Sequence, residues 1–167
     1  MQKINYHQVN GRYAAAKDGE LFRPGAKNPA VYFLVRPDST APFYVGEYGK
    51  AATYDVVERI RRHFGATGTL RRVALNMGAY GYDLPTEFTA YVKMLGPDYQ
   101  DVERRTSLEA WLIHILCHDL KKQSSEFCVV KHNAPLAIYR GEKAVARQIL
   151  AELMGTVVEE EVNQALA

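Results

Sequence analysis

The sequence predicts an α+β fold in which a small three-stranded antiparallel sheet is flanked by helices. Two observations support this prediction. Short apolar runs joined by a turn occur at residues 30–35 and 43–46, and apolar residues at helical spacing follow at 56–64 and 106–122. Strands and helices that do not alternate regularly are typical of the α+β class.

The first two strands are predicted to form a hairpin. Residues 30–35 (AVYFLV) are apolar and largely β-favouring, and residues 43–46 (FYVG) form a second short run. Pro37 and Asp38 lie between them and favour a turn. A third strand is predicted at residues 126–131 (EFCVVK).

Three helices are predicted from apolar periodicity. Asp55 is the expected N-cap of the first, and Gly65 ends it. Its apolar positions are Val56, Val57, Ile60 and Phe64. Residues 106–122 form the clearest helix, and residues 142–154 predict a final amphipathic one. The expected buried stripe of the 106–122 helix is Leu108, Trp111, Leu112, Ile115, Leu116 and Leu120.

The remaining segments are assigned to the same domain, which spans residues 1–167. Residues 1–28 are polar and are expected to be an N-terminal extension packed on the domain, and residues 65–103 an irregular insert. Residues 156–167 form an acidic tail. A chain of 167 residues, 47% of them hydrophobic, is long enough to bury one core.

Composition predicts a cytoplasmic protein without membrane contact. Cys117 and Cys128 match no metal-binding spacing and are expected to be buried thiols in a reducing compartment. Residues 1–10 lack the apolar segment of a signal peptide. No apolar run approaches the roughly 20 residues of a membrane-spanning helix.

Charge is distributed unevenly along the chain. The net charge is +2, and without the three glutamates of the acidic tail it is +5. Basic pairs and triplets then stand out at Arg59/Arg61/Arg62, Arg71/Arg72, Arg104/Arg105 and Lys121/Lys122. Such clusters are typical both of a surface that binds a polyanion and of ordinary solvated helix faces, and the sequence leaves both interpretations open.

Four side chains on and after the hairpin form a candidate active site. Tyr32 and Tyr44 are on paired strands, where side chains of one face lie side by side. Arg59 and His63 are four residues apart on the predicted helix and share a face. The arginine fork suits a phosphate and the imidazole suits proton transfer. Ordinary tyrosine packing beside a solvated basic face is the alternative interpretation.

Two further residues are candidates for the same site. Glu109 is a carboxylate of the kind that binds Mg²⁺ while the ion keeps most of its waters. It also completes a capping box with Thr106, and the sequence does not separate the two interpretations. Asn133 follows the predicted third strand. Two interpretations are open: its side chain stabilises the site through hydrogen bonds, or it is an ordinary turn residue.

These motifs resemble those of the GIY-YIG nuclease family over residues 29–135. In that family a GIY and a YIG tripeptide lie on two strands of a three-stranded antiparallel sheet. Ala30-Val31-Tyr32 and Tyr44-Val45-Gly46 are similar to them. Arg59 and His63 are similar to the family's first-helix arginine and the histidine that often follows it. Each tripeptide alone is a weak signal, and the ordered set is stronger.

The resemblance implies a mechanism with one divalent cation, Mg²⁺ or another such as Mn²⁺. Glu109 corresponds to the family's metal-binding glutamate and Asn133 to its following asparagine. Tyr32 is then the general base, directly or through water, Tyr44 helps to place the nucleophile, and Arg59 stabilises the pentavalent phosphate. A tyrosine pKa of about 10 matches neutral pH poorly, so nearby cations are expected to lower it.

The chain departs from the family pattern at two positions. Ala30 replaces the first glycine, which is a mild change. Glu47 follows the second tripeptide where many members carry lysine, and a carboxylate there repels phosphate. Lys50, at the end of the same loop, is a substitute for that contact. The expected nucleic-acid contacts are Lys50, Arg62, Arg71 and Arg72.

The leading hypothesis is a metal-dependent DNA endonuclease of restriction or phage type that acts on duplex DNA. A homodimer is expected because it allows both strands to be cut. The alternatives are a catalytically inactive GIY-YIG-derived protein that binds nucleic acid or regulates, and a toxin nuclease. A further alternative is an unrelated α+β domain in which the motif match is coincidental.

Overall fold

The computed structural model describes residues 1–15, 28–49, 54–77, 83–119 and 141–166. The strands are β1 (Gln2–Val9), β2 (Arg12–Ala15), β3 (Ala30–Val35), β4 (Pro42–Tyr48) and β5 (Glu87–Met94). The α-helices are α1 (Val56–Arg62), α2 (Thr69–Met77), α3 (Val102–His114) and α4 (Glu142–Leu166). A 3₁₀ turn (Pro97–Gln100) precedes α3 and a π-helical turn (Ile115–Asp119) follows it.

The predicted α+β class is confirmed, and the sheet is larger than expected. Five strands pair in the order β2-β1-β5-β3-β4, and every pairing is antiparallel. The prediction of three strands was therefore too small. The candidate third strand at 126–131 lies outside the described residues.

Residues 1–28 contribute two of these strands, although they were expected to form an extension. β1 and β2 make a hairpin whose two-residue turn is Asn10-Gly11, with φ of 50° and 74°. Positive φ at both turn positions is the geometry that favours Asn-Gly in two-residue hairpins. β1 also pairs with β5 along Gln2 to His7, so it lies inside the sheet.

Residues 65–103, expected to be irregular, contain α2 and the central strand β5. This strand pairs with β1 on one side and with β3 on the other. Phe88, Ala90 and Val92 belong to the core on one face of the sheet, and Tyr91 belongs to the core on the other. That alternation is the two-residue period of a strand. The segment is therefore part of the core of the domain.

β3 lies between β5 and β4, and both of its faces are covered. Tyr32 and Leu34 pack in the core that includes α1 and α2 residues, while Phe33 packs in the core built with α3 and α4. All six residues of β3 are buried. Burial on both faces explains why AVYFLV is apolar at every position rather than alternating.

The first residues of α1 and α3 show which side chains cap these helices, and so whether Glu109 belongs to a capping box. Asp55 is the N-cap of α1, as predicted, and accepts a hydrogen bond from the Glu58 backbone nitrogen at 2.9 Å. α3 begins four residues earlier than expected, with Asp101 as its N-cap. Thr106 lies inside the helix and its hydroxyl donates to the Val102 carbonyl at 2.8 Å. The Thr106 capping-box interpretation of Glu109 was therefore wrong.

The last helix begins where it was predicted but is longer. α4 continues to Leu166, through the acidic segment, instead of ending near residue 154. Of the two cysteines, Cys117 is half-buried in the structure and Cys128 lies outside the described residues. None of the described helices combines the length and the apolar character needed to span a membrane.

Candidate active site

Two buried tyrosines lie side by side on the face of the sheet that packs against α1. Tyr32 on β3 is 0% exposed and Tyr44 on β4 is 3% exposed. Their ring centroids are 6.4 Å apart. The two tyrosines therefore lie close together, as the two apolar segments predicted, and both rings belong to one core cluster.

Gly46 makes room for the first tyrosine. It lies directly opposite Tyr32 in the antiparallel register. A Cβ at residue 46 would collide with the ring and hydroxyl of Tyr32. The glycine of the Tyr44-Val45-Gly46 string is therefore a steric requirement of this site, because only a residue without a side chain lets the phenol lie across β4.

His63 is hydrogen-bonded to Tyr32. It is the C-cap residue of α1 and is 5% exposed. Its Nε2 is 2.5 Å from the Tyr32 hydroxyl, and its ring centroid is 4.7 Å from that of Tyr44. The histidine four residues after Arg59 thus turns inward at the end of the helix and closes a cluster of three rings.

The environment of Tyr32 favours its protonated form. Burial raises the pKa of its hydroxyl well above the usual value, and Tyr44, Glu109 and Glu47 raise it further, while Arg59 lowers it. The expectation that neighbouring cations lower this pKa is not met by the protein groups, because burial outweighs Arg59. Tyr32 is therefore a neutral phenol at pH 7 and a hydrogen-bond donor. It donates to Nε2 of His63 in the tautomer in which that nitrogen carries no proton.

Arg59 on α1 supplies the positive charge beside this phenol. It is half-buried and interacts with the side chains of Tyr32 and Tyr54. Burial lowers the pKa of Arg59, but the two tyrosines more than offset that effect and the pKa is raised. The neighbouring Arg62 stacks over the Tyr54 ring at 3.9 Å. Two guanidinium groups therefore flank Tyr54 near the buried tyrosines.

Glu109 approaches the site from α3, on the other layer of the fold. It is half-buried, and its charge acts on the Tyr32 hydroxyl. Within the described ranges, no three His, Cys, Asp or Glu side chains group closely enough to form a metal cage. One carboxylate beside solvent suits a Mg²⁺ or Mn²⁺ ion that keeps most of its waters, so the available donor fits that kind of ion.

The carboxylate of Glu47 is neutralised by a partner that the sequence analysis missed. Arg105 is 6% exposed, and its Nε donates to Glu47 Oε2. Its NH1 group also donates to the Tyr99 carbonyl at 2.8 Å. A Cβ at residue 49 would meet the Arg105 guanidinium, so Gly49 leaves space for it. The expected repulsion between Glu47 and a phosphate is therefore offset by a buried positive charge.

The predicted nucleic-acid contacts are spread over several places. Arg62 is exposed and lies 3.4 Å from Glu58, while Arg71 and Arg72 are exposed on α2. Lys50 and Asn133 lie outside the described residues.

Five of the six predicted catalytic residues are described: Tyr32, Tyr44, Arg59, His63 and Glu109. The other four lie around the Tyr32 phenol, either in ring contact with it, hydrogen-bonded to it or close enough for their charge to shift its pKa. Comparison with protein-family models, curated proteins and solved structures finds no match to this chain. The functional proposal therefore rests on the chemistry of these side chains.

Proposed function

We propose that this protein is a metal-dependent DNA endonuclease that hydrolyses phosphodiester bonds beside Tyr32. We propose further that it is of restriction or phage type, acts on duplex DNA and works as a homodimer. The observation that supports the activity most is the convergence of a phenol, an imidazole, a guanidinium and a carboxylate. These groups come from three different elements, and all of them meet at the Tyr32 hydroxyl. His63 is hydrogen-bonded to this hydroxyl, and the charges of Arg59 and Glu109 shift its pKa.

Hydrolysis of a phosphodiester needs positive charge where negative charge develops. Arg59 is half-buried and permanently cationic, so its attraction for a phosphate is screened less than that of an exposed arginine. A divalent cation held by Glu109 would add charge stabilisation and a water of lowered pKa. Each such contribution to the transition state is typically worth about a hundredfold or more in rate.

The proton of the attacking water also needs an acceptor. Tyr32 is too weakly acidic to act as a resting phenolate, but it is bonded to Nε2 of His63 at 2.5 Å. We therefore assign Tyr32 as a relay. As the water oxygen bonds to phosphorus, the bond from phosphorus to the leaving sugar oxygen breaks, and that oxygen takes a proton from solvent. The proton of the attacking water passes to the Tyr32 oxygen and the Tyr32 proton passes to His63. The imidazole ends as the cation, and the phenol is neutral before and after the step.

Tyr44 has a positioning role in this scheme. Its ring contacts those of both Tyr32 and His63, with centroid distances of 6.4 and 4.7 Å. These contacts hold the imidazole and the phenol in one orientation. Preorganisation of this kind reduces the reorganisation that a reaction requires.

The inactive alternative is a protein that binds nucleic acid without cutting it. The complete burial of Tyr32 favours it, because a sequestered hydroxyl is less accessible to water. The Arg105–Glu47 ion pair offsets the repulsion between Glu47 and a phosphate, which both candidates require. The two candidates differ in one measurable respect, which is bond cleavage.

Incubation of the protein with supercoiled plasmid and Mg²⁺ or Mn²⁺ tests the proposal. We expect nicked and linear products from the unsubstituted protein and at least a hundredfold slower cleavage by Glu109→Gln. Glu103→Gln is the matched control, because Glu103 is exposed on the same helix. Full activity of Glu109→Gln would refute the metal assignment. Absence of cleavage with every divalent ion, together with DNA binding, would establish the inactive alternative.

Sequencing of the product ends then separates the types of nuclease. A restriction-type or phage-type enzyme with a site preference is expected to give discrete, repeated ends. Scattered ends would indicate a non-specific nuclease or a toxin instead.

A further inference from the structure

A basic cleft lies between the β1–β2 hairpin and the connection from α1 to α2. Its volume is about 400 Å³. The residues that line it are Gly11, Arg12, Tyr13, Arg61, Phe64, Gly65, Ala66 and Arg71. Pockets of about 300–1,000 Å³ hold small molecules, so this cleft has room for roughly one nucleotide unit.

Three arginines from three elements give the cleft its charge. Arg12 comes from β2, Arg61 from α1 and Arg71 from α2, and all three are exposed. In the part of the chain that the structure describes, no carboxylate lines the cleft. Arg61 is held by Glu58 through hydrogen bonds of 2.7 and 2.8 Å, so the positive charge of the cleft comes mainly from the other two.

The floor of the cleft is aromatic and closely packed. The Tyr13 and Phe64 rings lie 4.4 Å apart, and Phe64 stacks on Phe88 at 4.8 Å. The Tyr13 hydroxyl donates to the Pro85 carbonyl at 2.5 Å. An apolar floor under positively charged walls suits a sugar-phosphate unit with its base, because arginines bind the phosphate and aromatic rings accept the apolar part.

The cleft shares a connecting segment with the tyrosine site. The His63 carbonyl accepts hydrogen bonds from the backbone nitrogens of Leu70 at 3.1 Å and of Arg71 at 3.2 Å. The side chain of His63 contacts Tyr32, and that of the next residue, Phe64, lines the cleft. A Cβ at Gly68 would collide with the carbonyls of Arg62 and His63, so the connection is tight. Adjacent residues of one tight connection therefore line the cleft and contact the tyrosine site.

We propose that this cleft binds the backbone of the DNA strand next to the bond that is cut, with Arg12 and Arg71 on its phosphates. The proposal rests on the proposed function and adds to it a second contact on the substrate. A contact beside the scissile bond fixes the register of the strand but does not read its sequence.

Salt-dependent binding tests the proposal without requiring cleavage. The affinity of the 167-residue chain for a fluorescent DNA duplex is measured in EDTA over a range of NaCl concentrations. Loss of one phosphate contact is expected to reduce the slope of log affinity against log salt by about 0.9. We expect this reduction and weaker binding in Arg12→Gln and in Arg71→Gln. We expect no change in Arg147→Gln, because Arg147 is exposed on α4, which packs on the opposite face of the sheet.

Two further arms complete the test. Arg71→Lys keeps the charge and is expected to keep the slope, and thermal unfolding checks that each variant is folded. Inorganic phosphate and a mononucleotide are tested as ligands of the same variants. If these small anions bind in an Arg12-dependent way while DNA does not, the cleft is a site for small anions and the proposal is wrong.

Failure of the cleft and failure of the nuclease are distinguishable. If the unsubstituted protein cuts plasmid and binds DNA, and the Arg12→Gln and Arg71→Gln variants have the same slope, only the cleft proposal is overturned. If the unsubstituted protein neither binds nor cuts DNA, both proposals fail.

Discussion

At the scale of single residues, the site depends on one large side chain packed against the smallest one. Tyr32 crosses β4 at Gly46, and its hydroxyl reaches His63. Neither contact involves a neighbour in sequence, since the two partners lie 14 and 31 residues downstream of Tyr32. The Tyr-Val-Gly string is therefore explained by packing as well as by chemistry. A packing role has consequences for stability that are independent of catalysis.

Gly46→Ala tests the packing role. The added methyl group would collide with the Tyr32 ring, and overpacking of this kind costs about 1–3 kcal/mol of unfolding free energy. The measurement is urea-induced unfolding. Gly96→Ala is the matched control, because a Cβ at residue 96 meets nothing within 4 Å and its φ of −68° suits any residue. Equal stability of Gly46→Ala and the unsubstituted protein would show that Tyr32 does not occupy this space.

At the scale of elements, the start of α3 determines how Glu109 is interpreted. The helix is capped by Asp101, and Thr106 lies one turn inside it. Glu109 is then an interior helix residue whose charge reaches the tyrosine site. Its identity is consequently not required for capping, which removes the structural explanation that competed with metal binding.

Two alanine variants check the position of the cap. Asp101→Ala is expected to lower the unfolding free energy by about 1 kcal/mol, because the Arg104 backbone nitrogen loses its acceptor. Thr106→Ala is expected to be nearly neutral, because its hydroxyl only donates to carbonyls of the preceding turn. Thermal or urea unfolding measures both. The reverse order of effects would mean that the helix begins at Thr106.

A second prediction at this scale concerns the contact between the 3₁₀ turn and α4. The Tyr99 hydroxyl donates to Oε2 of Glu142 at 2.5 Å, and Glu142 is 4% exposed. Burial, followed by the interaction with Glu142, raises the pKa of Tyr99 to about 12. A folded-state pKa above the unfolded value of about 10 stabilises the protein below pH 10. That contribution is lost as the pH rises from about 10 to 12.

Alkaline unfolding of Tyr99→Phe measures this contribution. Between about pH 10 and 12, one fewer proton is linked to folding in the variant, so its stability is expected to fall less steeply by about 1.4 kcal/mol per pH unit. At neutral pH the variant is expected to be less stable by about 1–3 kcal/mol, because Glu142 loses a buried donor. Identical slopes in the two proteins would show that Tyr99 titrates with its ordinary pKa.

At the scale of the whole molecule, the α+β class and the β3–β4 hairpin followed from local patterns. The Asp55 cap was predictable for the same reason, since each of these features depends on residues close in sequence. The β1–β2 hairpin also carried a local signal, the dipeptide Asn10-Gly11 between two strand-like runs. β5 carried one in the alternation of Phe88, Ala90 and Val92.

The long-range features were not predictable from one sequence. Arg105 and Glu47 are 58 residues apart and meet only because α3 packs against β4. The basic cleft brings Arg12 beside Arg61 and Arg71, which lie about 50 and 60 positions later in the chain. The raised pKa of Tyr32 likewise depends on burial by both neighbouring strands and α1. Such properties arise from tertiary packing rather than from local pattern.

The central claim is that Tyr32 relays a proton to His63 during phosphodiester hydrolysis. Single-turnover cleavage of plasmid in Mg²⁺ by Tyr32→Phe, compared with the unsubstituted protein, tests it most directly. Phenylalanine keeps the ring against Gly46 and removes only the hydroxyl. We predict a folded variant that cuts at least a hundredfold more slowly, the lower range for loss of a general base. Cleavage by Tyr32→Phe at the rate of the unsubstituted protein would contradict the claim.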